Sequence, residues 1–127
     1  MAVAVVTTVF RKKLLKARAG DLTLPTIQKI AFGNGGVDNA DNVIQPLPTQ
    51  TALNNELLRK NVASHTYLNN DTACRYTCTL SNSELVGVAI SEIGIVDSAG
   101  DIIAIKNFSP KVKDGDIELV FNIDDII

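Results

Sequence analysis

ISEIGIVDSAGDIIAIKNF, residues 90–108, is two apolar runs rich in Ile and Val on either side of DSAGD. Asp, Ser and Gly are turn formers, so the segment predicts a β-hairpin closed by a glycine-containing loop. On the second arm Ile102 and Ala104 alternate with Ile103 and Ile105, which leaves both faces apolar. A strand of that kind is covered twice, by the domain's own helices or by a neighbouring subunit.

Working outward, DGDIELVFNID (114–124) opens with a turn. Ile117, Leu119, Phe121 and Ile123 then alternate with Glu118, Val120 and Asn122, the pattern of a half-buried strand. In TACRYTCTL (72–80), Cys74, Tyr76, Cys78 and Leu80 share one face and Arg75, Thr77 and Thr79 the other. A strand holds the two cysteine Cα atoms about 13 Å apart, beyond the roughly 7 Å a disulfide spans. Two buried core thiols are therefore expected.

Towards the N-terminus, TTVFRKKLLKARAG (7–20) reads as a helix with Thr7 or Thr8 as N-cap and Gly20 just past its end. Val6, Phe10, Leu14 and Ala17 share one face, with Lys13 intruding. The β-branched VAVVTTV (3–9) fits a strand equally well, so the first ten residues stay open between the two. TIQKIAF (26–32) is a short strand, and TALNNELLRK (51–60) a brief second helix with Leu53, Leu57 and Leu58 on its apolar side. SNSELVG (81–87) carries a capping box from Ser81 to Glu84 that Gly87 limits to one turn. Together these predict an α+β fold in which an N-terminal helix and a short second helix accompany an antiparallel β-sheet or small β-sandwich. The chain forms a single domain, 1–127, made of an N-terminal helical segment (1–20) and a β-rich body (21–127).

The stretch IAFGNGGVDNADNVIQPLPTQT (30–51) raises the question of a nucleotide. A dinucleotide fingerprint counted from Gly33 and Gly35 needs a glycine where Asp38 stands, and a Walker loop needs a lysine that Asn34–Asn39 lacks. No helix follows directly whose N-terminus would hold phosphate. Asp38, Asn39, Asp41 and Asn42 lack the glycine and closing glutamate of a calcium loop. The glycines are expected instead to permit positive φ angles and close backbone approach, with the prolines stiffening the exit. The lone His65 has no nearby nucleophile or carboxylate in sequence and reads as a surface or strand-edge residue. No second cysteine pair completes a metal site. The expectation is a non-enzyme without cofactor or metal.

Charge is unevenly placed: residues 1–63 hold eight Lys/Arg against four Asp/Glu, and residues 64–127 four against ten, or +4 and −6. The basic excess sits in RKKLLKAR, but overall acidity and few aromatics argue against nucleic acid. No run reaches the roughly 20 apolar residues of a spanning helix. The uncharged MAVAVVTTVF followed by cations reverses the order of a secretory signal, so synthesis in the cytoplasm and release by lysis are expected.

The blocks IAFGNGGVD, PTQTALNNELLRK, RYTCTL and ISEIGIVDSAGDIIAIKNFSPKVKDGDIELVFNID, in that order from about Ile27 to Asp125, resemble the N-terminal domain of phage tail-collar fibre proteins. That family occurs in contractile-tailed phages and phage-tail-like bacteriocins, and the basic N-terminal helix fits it less specifically. The resemblance implies a virion structural protein that attaches a tail fibre to the baseplate as a homotrimer, with no catalytic or metal residues. Family members often continue into a shaft and receptor-binding tip, whereas this sequence stops at Ile127, so the shaft is expected on another chain or has been cut away. The alternative function is a free-standing carbohydrate- or protein-binding β-module. For docking, the candidate residues are the apolar Val6, Phe10, Leu14 and Ala17 with the cations Arg11, Lys12, Lys16 and Arg18. They would lay one helix face in a groove of a baseplate protein while the charges steer approach. The competing reading packs that stripe on the domain's own sheet and leaves the cations solvated.

Overall fold

The computed structural model describes residues 4–126; of the N-terminal stretch read as helix or strand, residues 1–3 lie outside it. In chain order the elements are β1 (Val5–Val6), α1 (Thr8–Arg18), β2 (Ile27–Gly33), β3 (Glu56–Asn61), β4 (Ser64–Leu68), β5 (Ala73–Leu80), β6 (Ala89–Asp97), β7 (Ile102–Val112) and β8 (Leu119–Ile126). They form a five-stranded sheet in the order β1-β7-β6-β2-β3 and a three-stranded sheet in the order β4-β5-β8. Every pairing between these strands is antiparallel.

The main core lies between the sheets. Ile30, Phe32, Ile93, Ile95 and Ile103 of the larger sheet meet Cys78, Leu80, Phe121 and Ile123 of the smaller, with the Phe32 and Phe121 rings edge to face at 5.2 Å. A second cluster, Ala31, Leu53, Val96, Ile102 and Ile105, sits apart from it. The register of β6 and β7 shifts at Ile95/Val96, and this irregularity breaks the simple alternation of β7. Ile103 and Ala104 join the main core together, while Ile102 and Ile105 join the second cluster. Leu53 packs with Ile102 and Ile105 in that second cluster, and both are almost inaccessible, so the domain itself covers both faces of this part of the strand.

The expected α+β class with two helices is corrected to a predominantly β fold with one helix. The predicted second helix, TALNNELLRK, splits at its asparagines. Leu53 is buried in the second cluster, and Glu56–Asn61 runs as β3 with strictly alternating burial beside β2, Leu58 pairing with Phe32. The reason is tertiary. The Glu92 carboxylate takes the N–H groups of Asn54 and Asn55 at 2.9 and 2.7 Å, at the point where a helix would need them for its own turn.

Three smaller expectations are adjusted. Ile117 is exposed in the turn before β8 rather than inside the strand. SNSELVG forms a turn, with the Ser81 N–H donating to Glu84 at 2.8 Å, without becoming helix. Cys78 is buried but Cys74 only half-buried, and both are free thiols.

Candidate functional site

Helix α1 begins where Thr7, fully buried, fastens the chain to β7. The Thr7 N–H donates to the Ile103 carbonyl at 2.9 Å, and its hydroxyl donates to the Ile102 carbonyl at 2.8 Å while accepting from the Phe10 N–H at 3.4 Å. That N-cap satisfies one of the helix's free donors. At the other end the N–H of Ala19 and that of Asp21 close on Leu15 and Lys16, and Gly20 takes φ +84°, a left-handed position suited to glycine. Lys16 and Arg18 occupy the last turn, where cations offset the helix dipole.

Three of the four apolar candidates, Val6, Phe10 and Leu14, face inward. Phe10 is 8% exposed in the main core, Val6 pairs with Ala104, and Val6 and Leu14 pack against the same core; Ala17 is half-buried. Arg11, Lys12, Lys16 and Arg18 are exposed, and none takes part in an ion pair among the described residues. Leu15, not foreseen as a contact, is 65% exposed among them. Arg11, Lys12 and Arg18 lie four, three and three residues from Leu15 on the same outward face, and Lys16, four residues from Lys12, lies at its edge.

Lys13, the intruder in the apolar stripe, reaches the β6–β7 turn. Its ammonium lies 2.6 Å from both Asp97 and Asp101. Asp97 is nearly inaccessible and also accepts from the Ala99 and Asp101 N–H groups at 3.0 Å. Partial burial works against the Lys13 charge, yet its hydrogen bonds to Asp101 and Asp97 outweigh that and raise its pKa. The helix is therefore pinned by a charged pair at one side and by Phe10 at the other. A lysine in an apolar stripe and an acidic hairpin turn were the sequence signals for this contact.

The glycine-rich segment is a clamp. The Gly35 N–H donates to Glu92 at 3.1 Å, and the Gly36 N–H to the Ser91 hydroxyl at 2.9 Å. With Asn54 and Asn55, the fully buried Glu92 carboxylate thus accepts backbone N–H groups from both sides of the long loop. A Cβ at Gly36 would lie 2.0 Å from the Ser91 carbonyl, and one at Gly33 2.4 Å from Asn55 O. Close approach is what these glycines provide. The expected positive φ angles occur elsewhere, at Gly20, Gly87 and Gly100. The two amides that a phosphate would recruit are already bonded to this chain's own side chains. Asp38 is occupied similarly, accepting from the Asn42 and Ala40 N–H groups, which lower its pKa.

His65 is exposed on β4, 5.7 Å from the Tyr67 ring and 6.1 Å from Tyr76. These three border a cleft of about 420 Å³ between the small sheet, the start of α1 and residues 24–27. Sequence reasoning missed it because its walls come from seven separate stretches of chain. A second cleft, of about 400 Å³, runs along the outer edge of β8 beside Lys106, Phe108 and Lys111.

The family model described as phage tail-collar fibre protein, N-terminal, matches residues 1–118. Neither a curated protein nor a solved structure matches the chain.

Proposed function

The chain belongs to the phage tail-collar fibre family, whose N-terminal domain it matches over residues 1–118, and from that premise we propose that it joins a tail fibre to the baseplate. The proposed setting is the tail of a contractile phage or a phage-tail-like bacteriocin, made in the bacterial cytoplasm and released by lysis. The observation that carries the docking role is the outward face of α1. Four exposed cations surround Leu15 on a helix that Thr7, Phe10 and Lys13 hold rigidly to the body. The apolar stripe Val6, Phe10, Leu14 and Ala17 contributes by fixing that helix, and Arg11, Lys12, Lys16 and Arg18 meet an acidic partner surface of the baseplate. Assembly as a homotrimer completes the reading. Its support is the family and not β7, whose two apolar faces are covered within the domain. The role is structural, without catalysis.

Gold-labelled antibody against the chain, applied to purified particles, tests the reading. Label at the distal tail, lost when the gene is deleted, is the expected result. Fibre-bearing particles that carry no label would overturn it.

A further inference from the structure

The cleft between the small sheet and α1 has an unusual chemistry. Strand register places Tyr67, Cys74 and Asp125 directly across β4, β5 and β8, with His65 opposite Tyr76 in the adjacent row. Tyr67, His65, Tyr76 and Asp125 line the cleft together with the apolar Phe10 and Leu24. No lysine or arginine lines the cleft. Asp97 at its margin is already neutralised by Lys13. Asp125 is not: among the described residues it has no ion-pair partner, and its buried Oδ1 has no hydrogen-bond donor. A buried carboxylate oxygen without a partner is costly and gains from a charged donor.

We propose that this cleft receives an arginine side chain presented by the neighbouring tail protein. A guanidinium is planar, so it stacks on the Tyr67, His65 or Tyr76 ring and still offers its N–H edge to Asp125. A lysine ammonium supplies the charge without the stacking plane, and a neutral ureido group the plane without the charge. Burial raises the Asp125 carboxyl's pKa, as desolvation does to a carboxyl with no cation beside it. The proposal rests on the docking reading for the identity of the donor, but the cleft's chemistry is tested without particles.

The chain has two tyrosines and no tryptophan, and both tyrosines line this cleft, so tyrosine fluorescence reports on it selectively. Titration with N-acetyl-arginine methylamide is expected to give a saturable change, with the lysine analogue at least about threefold weaker and the citrulline analogue inert. Asp125→Asn is expected to weaken arginine binding about tenfold without lowering Tm. Tyr67→Leu, at a largely exposed position and read through Tyr76, should weaken it about threefold. An equal response to citrulline, or unchanged arginine affinity in Asp125→Asn, overturns the proposal. In particles, Asp125→Asn should reduce incorporation of the chain. Self-association in solution that Asp125→Asn abolishes would assign the arginine to a second copy and overturn the neighbouring-protein assignment. If the chain proves absent from particles while arginine still binds in solution, the docking reading fails and the arginine cleft stands.

Discussion

At the scale of single residues, Glu92 carries more of the fold than any motif visible in the sequence. Its three backbone donors come from two parts of one long loop, and the carboxylate is fully buried. Glu92→Gln turns one acceptor towards an N–H it cannot satisfy, and should cost about 2–3 kcal/mol, since charged hydrogen bonds contribute about 1.5–3. Urea unfolding reads this directly, and an unchanged midpoint would deny the clamp. Gly36→Ala forces backbone apart at the Ser91 carbonyl and should cost about 3 kcal/mol or more. The thiols give a different residue-scale test. Burial raises the pKa of Cys78 in spite of nearby Lys60, and Cys74 is only half-buried. A thiol reagent should label Cys74 first and Cys78 only on unfolding; rapid labelling of both would misplace β5.

Elements were legible where their signal is local and missed where it is not. The β6–β7 hairpin, β5, β8 and α1 with its Thr7 cap follow from alternation, turn residues and capping chemistry within a few positions. β3 was hidden because Leu53, Leu57 and Leu58 have helical spacing, while the group that overrides it, Glu92, is contributed by β6. The candidate site divides the same way. The cations of α1 are plain in RKKLLKAR, but which helix face is free depended on β7 and the small sheet. The pairing of α1 with the hairpin turn is testable by pH. The Lys13 pKa is raised in the folded state, so its stabilisation is complete below the ordinary lysine value of 10.5. It is lost as pH rises through the folded value. Lys13→Met should cost about 2 kcal/mol at neutral pH by leaving Asp97 without its cation, and should flatten that alkaline decline. Glu84 and Asp124 act at the other end: Lys60 and Arg75, respectively, hold their pKa values down. Their contributions are present above the ordinary values of 4.5 and 3.8 and fade as pH falls through the lowered ones.

For the whole molecule, the division of charge seen in the sequence becomes a division of surfaces. Basic α1 stands on one flank, and beside it lies an acidic, aromatic cleft that shares Phe10 with the core. Because the glycine-loop amides and Asp38 are engaged internally, nucleotides and calcium should leave Tm unchanged; a saturable rise would show a ligand of the native state. Deleting residues 1–20 would remove Thr7 and Phe10 from the buried structure and unfold the domain, so truncation cannot isolate docking from folding. Substituting Arg11, Lys12, Lys16 and Arg18 together by glutamine can, since all four side chains are exposed and glutamine keeps helix propensity. The decisive measurement is the copy number of that variant in purified particles, by quantitative mass spectrometry against wild type. The expected outcome is a folded protein with Tm within a few degrees of wild type that is depleted from particles. Incorporation at wild-type copy number would contradict docking through α1.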